Sequence, residues 1–196
     1  MYNLNTQEKI TDYMLSSSEL VRSSVSLAPN VEKSIMVIVK CLRKGNKVVL
    51  FGNGGSAADA QHIAAEFIGR FKINRKSLPA IALSDNPSTI TAISNDFSFD
   101  LVFSRQCENL VSKGDVVIGI STSGNSINVK KGITTSKKNG AITIGLLGNK
   151  GGSIKRCVDI PLIVDATETS QIQDVHRIIY HVICEIVERK LVELWK

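Results

Sequence analysis

Five short apolar runs punctuate the chain without alternating apolar and polar positions. They are Val48-Val49-Leu50-Phe51, Ala80-Ile81-Ala82-Leu83, Val116-Val117-Ile118-Gly119-Ile120, Ile142-Thr143-Ile144-Gly145-Leu146 and Val158-Asp159-Ile160-Pro161-Leu162-Ile163-Val164. Runs of this kind predict strands buried on both faces. The intervening stretches read as helices, and a helix between two buried strands makes a parallel crossover. The expected fold class is α/β: a three-layer α/β/α sandwich around a five-stranded parallel sheet.

Residues 5–44 read as two helices, separated at Pro29 and Asn30 because a proline ring cannot continue a helix. The second is strongly apolar on one face from Val31 to Val39, and Gly45 follows as its stop. Another helix is predicted from Ala57 to about Phe71, and a long one from about Ser170 to Leu194. No internal repeat, linker or low-complexity stretch interrupts this pattern. The 196 residues are therefore taken as one domain, with 1–44 an N-terminal helical segment and 45–196 the α/β core with its C-terminal helix.

Bulk properties narrow the partners. No run approaches the roughly 18 apolar residues of a membrane span. Met1-Tyr2-Asn3-Leu4-Asn5 lacks the basic and apolar regions of a signal peptide. A cytoplasmic protein with no membrane partner is expected. The net charge is +6, but Lys and Arg are dispersed and aromatics are only 5%, too sparse for a base-stacking surface. Nucleic acid is therefore not an expected partner, whereas a small anionic substrate suits the charge. Cys41, Cys107, Cys157 and Cys184 form no CxxC pair and read as reduced, mostly buried thiols.

Ligands of such a sheet bind outside the carboxyl ends of its strands. Two polar loops are predicted there. Gly52-Asn53-Gly54-Gly55-Ser56 lets the backbone approach a ligand and leads into a helix with free N–H groups. Ser121-Thr122-Ser123-Gly124-Asn125-Ser126 sets four hydroxyls in six residues before another helix, a cradle for phosphate. The competing reading of either loop is a turn with a serine helix cap. Neither loop is a Walker A motif, and neither matches G-x-G-x-x-G, which argues against a dinucleotide.

His62 and Glu66 lie one turn apart on one helix face, suited to sharing a metal or to pairing a base with a ligand. The last helix carries Gln173, His176 and His181. Gln173 and His176 share a face, with His181 about 80° from Gln173. For His176, a polar group facing the core is the competing reading.

Taken together, Gly52 to His62, Ser94-Asn95-Asp96, Gly119 to Ser126, and Ile172-Gln173 with His176 and His181 resemble the signature of the phosphoheptose isomerases. These are sedoheptulose 7-phosphate isomerases of the sugar isomerase (SIS) fold, and the resemblance spans essentially the whole chain. It implies conversion of sedoheptulose 7-phosphate to D-glycero-D-manno-heptose 7-phosphate, the first step towards nucleotide-activated heptoses for surface glycans such as lipopolysaccharide core, capsule or S-layer. Under it, Ser121, Thr122, Ser123 and Ser126 hold the phosphate. Asn53, Gly54, Gly55, Asn95 and Asp96 contact the sugar, and Ser56 supports that loop. His62, Glu66, Gln173 and His181 bind one zinc ion. Glu66 and His181 are the acid/base pair, with Glu66 and Gln173 also facing substrate.

The roles agree with the chemistry. Ketose–aldose conversion moves a proton between C1 and C2 through an enediol, which a carboxylate and an imidazole can manage near neutral pH. Zinc would polarise the carbonyl. The chain departs from the family pattern at Gln171, Asp174 and Ser98, positions that bear on which sugar is used. Two alternatives are a non-catalytic SIS-domain protein binding a replication-initiator partner, and an isomerase of a related sugar phosphate.

A homo-oligomer, a tetramer by resemblance, is also expected. The apolar helix at 31–42 needs a partner surface. On one continuous helix the Cα atoms of Gln173 and His181 stand about 12 Å apart, whereas zinc–ligand bonds are about 2 Å. Either the two come from different subunits at each ion, or the helix breaks between them.

Overall fold

The computed structural model describes residues 5–194, so Met1 to Leu4 of the N-terminal reading lie outside the described residues. Five strands form one sheet: β1 (Val48–Gly52), β2 (Ala80–Ala82), β3 (Val116–Ser121), β4 (Ile142–Leu147) and β5 (Ile160–Ile163). Their order is β2-β1-β3-β4-β5, and every neighbouring pair is parallel. All of β1 and β3 is buried, as is β4 after Ile142, so their unbroken apolar runs meet packed helices on both sides. The edge strands are less covered. Ile81 is exposed in β2, and Pro161 and Ile163 are only half-buried in β5. Pro161 is tolerated because β5 has one ladder neighbour.

The helices are α1 (Thr6–Ser23), α2 (Ala28–Arg43), α3 (Gly55–Ile68), α4 (Pro87–Asp96), α5 (Ser104–Leu110), α6 (Ile127–Lys138) and α7 (Thr169–Leu194), joined in places by short 3₁₀ turns. On one face of the sheet, Leu50, Ile118, Leu146 and Leu162 pack with Ile38 and Leu42 of α2, Ile63 and Phe67 of α3, and Ile179 and Ile183 of α7. On the other face, Val49, Phe51 and Val117 pack with Phe103, Val129 and Ile133, and the Phe51 and Phe103 rings stack at 4.9 Å. Each such side chain contributes about 1.5–3 kcal/mol on leaving water. Burial also raises the thiols of Cys41 and Cys107 to about 11 and that of Cys184 to about 12, as inert core groups.

Three expectations change. The break between the first two helices lies at the 3₁₀ turn Ser24–Leu27 rather than at Pro29 and Asn30. Pro29 falls in the first turn of α2, where its missing N–H has no intrahelical partner to lose. Next, α3 ends at Ile68, short of Phe71. The N–H groups of Phe71, Lys72 and Ile73 instead donate to the carboxylate of Glu188 on α7, at 2.7–2.9 Å. Finally, the apolar face of α2 finds its partner inside the chain: Val31, Ile35, Ile38 and Leu42 are buried in the core that α7 and the sheet share. The argument for an oligomer from that segment therefore falls.

Candidate active site

The strand order reverses between β1 and β3, because the chain leaves β1 for β2 on one side and β3 for β4 on the other. Connections diverge there and leave a crevice at the strands' carboxyl ends. Both polar loops open on it. The first follows β1, with Gly54 at φ +54° and ψ −123°, where a residue with a Cβ would be strained. The second follows β3 and turns at Gly124, whose φ is +65°. A Cβ on Gly124 would strike the backbone of Gly151 and Gly152, so this glycine also allows the loop to lie on the next one.

The hydroxyls of the second loop face one another. Ser121 Oγ lies 2.9 Å from Ser126 Oγ and 3.4 Å from Ser123 Oγ. Ser126 occupies the N-cap position of α6 yet makes no capping bond, and Gly54 at the N-cap of α3 has no side chain to do so. Both loops are turned, by Ser56 N–H to Asn53 O and Gly124 N–H to Ser121 O, but the serine cap of the competing reading is absent from both. At neither helix does the N-cap side chain make a capping bond, although Asn128 Oδ1 takes the Val129 N–H of α6 at 2.9 Å; helix N-termini placed in this way can receive an anion. Thr122 is half-buried and Ser123 exposed on the same loop.

A residue that sequence reasoning missed joins the loops. Asn128, in the first turn of α6 and 3% exposed, exchanges two amide hydrogen bonds of 2.9 Å with Asn53. The Asn53 side chain is thus engaged with Asn128. Ser56 is buried, with its N–H donating to Asn53 O at 2.9 Å. A Cβ on Gly55 would collide with the amide of Gln173, so α7 delivers Gln173 directly onto this loop.

Along α3, His62 Nε2 and Glu66 Oε1 are 3.0 Å apart. Against them lies the His181 ring, with its centroid 5.4 Å from that of His62, followed by Phe71 at 5.7 Å. Burial, with help from the neighbouring His62 ring, lowers the His181 pKa. Tyr180 Oη lies 3.1 Å from His62 Nδ1 and 3.2 Å from both Asp59 Oδ1 and Arg177 Nε. Burial raises the Tyr180 phenol to about 12, so it keeps its proton at neutral pH. Asp59, Tyr180 and Arg177 were not predicted. The available signals were Asp59 three residues before His62 and Tyr180 beside His181.

The structure does not unite every predicted residue. Asn95 and Asp96 are exposed at the end of α4, where Asn95 Nδ2 donates to Asp96 Oδ1 at 2.9 Å. Among the described residues, neither bonds to the loops or to the His62–Glu66 pair. His176 is fully buried and its ring Nε2 lies 3.2 Å from Leu147 O, so the core reading holds. Among the described residues no cluster of three or more His, Cys, Asp or Glu is arranged to hold a metal. Helix α7 runs unbroken through Gln173 and His181, which removes the broken-helix alternative.

The family described as the SIS domain matches residues 12–148. A phosphoheptose isomerase of Geobacter sp. (strain M21) is 52% identical over 165 residues, covering 84% of this chain and 86% of that protein. The chain belongs to the phosphoheptose isomerase family. Its members are isomerases, and this chain is one. Solved phosphoheptose isomerases share the fold over their whole length. That of Francisella tularensis superposes with a TM-score of 0.92 at 32% identity, covering 95% of this chain and 100% of that one. That of Neisseria gonorrhoeae, GmhA, gives 0.90 at 35% identity, covering 94% and 100%.

Proposed function

We propose that this chain interconverts sedoheptulose 7-phosphate and D-glycero-D-manno-heptose 7-phosphate by moving a proton between C1 and C2. The observation that carries the reading is the pair of helix N-termini at the switch point whose N-cap side chains make no capping bond, with a carboxylate and two imidazoles further along α3 and α7. Phosphate binds at Ser121, Thr122, Ser123 and Ser126 and at the N–H groups of α6. The sugar lies along the Asn53–Gly54–Gly55 loop towards Glu66. Glu66 takes the proton from carbon, and His181 serves the oxygens. Asn95 and Asp96 reach the sugar once substrate is bound. The product feeds nucleotide-activated heptose synthesis for surface glycans, in the cytoplasm. Among the described residues no helix is long and apolar enough to cross a membrane.

The residues also suit zinc. Two bonds of about 2 Å at a tetrahedral angle put ligand atoms about 3.3 Å apart, and His62 Nε2 and Glu66 Oε1 stand at 3.0 Å. His181 is beside them, and the ligand set is completed by Gln173. When bound, zinc supplies a Lewis acid for the carbonyl and the developing oxyanion. In one chain Gln173 lies at Gly55 while His181 lies at His62, about two turns of α3 away. Gln173 and His181 at each ion therefore come from different chains of a homo-oligomer, a tetramer on our reading. Ile10, Met14 and Leu15 on α1 and Ile178 and Val182 on α7 are exposed apolar residues that such an assembly would cover.

The test is turnover of sedoheptulose 7-phosphate with and without a chelator, followed by mixing. Gln173→Ala and His181→Ala chains are each inactive, and co-refolded hybrids recover activity because some sites receive both intact residues. A fully active monomer by light scattering refutes the shared site. Absence of turnover in the metal-loaded protein refutes the reaction.

A further inference from the structure

The hydrogen bonds around Tyr180 determine which nitrogen of His62 carries the proton. Tyr180 has one phenolic hydrogen and three polar neighbours. Asp59 is 1% exposed and ion-paired with Arg177 at 3.4 Å, so its carboxylate can only accept. Arg177 Nε can only donate. The Tyr180 hydrogen therefore goes to Asp59 Oδ1 at 3.2 Å, and its oxygen accepts from Arg177. That leaves His62 Nδ1, 3.1 Å away, as a donor to the same oxygen.

A second observation supports this direction. Asp59 Oδ2 is buried and has no hydrogen-bond partner. If Tyr180 instead gave its hydrogen to His62, Oδ1 would keep only Arg177 at 3.4 Å, and the buried carboxylate would be almost bare, at high cost. With Nδ1 protonated, a neutral His62 turns the lone pair of Nε2 towards Glu66 Oε1 at 3.0 Å. At that separation the lone pair and the carboxylate oxygen can share a cation, either a metal ion or the second proton of an imidazolium that a metal would displace.

We infer that Asp59 and Tyr180 are positioning residues that hold His62 as its Nδ1–H tautomer and so aim Nε2 and Glu66 Oε1 jointly at a metal ion. The inference rests on the zinc reading above and adds the groups that prepare the site before the ion arrives. A ligating imidazole commonly donates its second N–H to an outer partner, whose loss costs about 10–100-fold in metal affinity or activity. Here the partner is a phenol on the residue before His181, which couples α7 to α3.

The test uses the whole chain carrying Tyr180→Phe, which keeps the buried ring and removes the hydroxyl. A melting curve establishes that it folds. Nitrogen-15 spectra of the metal-free protein, with His62 assigned through His62→Gln, report the tautomer directly. The wild type should show Nδ1–H, and Tyr180→Phe a shift towards Nε2–H. Zinc affinity, measured by competition with a chelator, should weaken about 10–100-fold, with kcat falling and KM for the sugar phosphate unchanged. Asp59→Asn should move the tautomer in the same direction. Nε2–H in the wild type, or the same tautomer or zinc affinity in Tyr180→Phe, would overturn the inference. If tautomer and affinity shift but the wild type turns over no sugar phosphate, the positioning role stands and the proposed reaction falls. If turnover is present and Tyr180→Phe matches the wild type throughout, the reverse holds.

Discussion

Asn53 and Asn128 exchange amide hydrogen bonds of 2.9 Å in both directions, tying the loop after β1 to the first turn of α6. This bridge crosses the topological switch point and fixes the spacing of the two helix N-termini. Asn128→Ala leaves a half-buried amide with no partner, which costs roughly 1–3 kcal/mol of stability. The loops lose their mutual register, so KM for the sugar phosphate should rise more than kcat falls. Denaturant melts and steady-state kinetics on the same variant check both effects. Unchanged KM would show that the bridge is structural only.

Ser126 separates phosphate binding from helix capping. A capping serine replaced by alanine ordinarily costs about 1 kcal/mol of stability, but the Ser126 hydroxyl turns to Ser121 and caps nothing. Ser126→Ala should therefore melt close to the wild type while losing about 1–2 kcal/mol of phosphate binding, roughly 5–30-fold in KM. A large drop in melting temperature with unchanged KM would reverse the assignment.

Arg75 and Glu188 form a buried ion pair at 3.0 Å, with side chains 2% and 1% exposed. Burial by itself would raise the Glu188 carboxyl, but the N–H groups of Lys72, Phe71 and Ile73, together with Arg75, hold it below the usual range. Removing Arg75 leaves the buried carboxylate with backbone N–H donors alone, so Arg75→Met should be destabilising by at most about 3–5 kcal/mol. This pair seats the segment carrying Phe71, whose ring lies against His181. Activity should fall with it, even at temperatures where the variant stays folded. Unfolding midpoints together with kcat for Arg75→Met measure both.

His176 supplies a pH dependence. Burial lowers its pKa to about 4, against about 6.5 in the unfolded chain. Below pH 6.5 the unfolded state binds a proton that the folded state refuses, so stability falls as pH drops from about 6.5 to about 4 and then levels. The contribution is on the order of 3 kcal/mol. His176→Gln cannot take up that proton, so it should show a shallower loss over this window. Parallel slopes for the two proteins would mean that His176 is not the group responsible.

The sequence made some of this plain and hid the rest for physical reasons. The central strands were legible because both faces are covered, which forces unbroken apolar runs such as Val116 to Ile120. The start of β5 was placed early because Val158 and Asp159 continue its pattern. Asp159 instead accepts from the Thr143 N–H and hydroxyl at the turn into the strand. Helix α4 buries none of its residues, so it had no apolar stripe to read. Pro29 misled because a first-turn proline and a helix break look alike in one dimension. At the site, His62 and Glu66 share a helix and were visible as a pair. Asn128 and Tyr180 act across elements, 75 and 118 residues from their partners Asn53 and His62, where spacing carries no signal.

The central claim is proton transfer by Glu66, and exchange at carbon tests it most directly. Sedoheptulose 7-phosphate is incubated in D₂O with the metal-loaded wild type and with Glu66→Gln, and the C1 protons are followed by NMR. The wild type should exchange deuterium into the sugar as the aldose forms. Glu66→Gln should be slower by about 10²–10⁴-fold while still binding the sugar phosphate. C1 protons that persist with the wild type, or exchange at the wild-type rate with Glu66→Gln, would contradict the account.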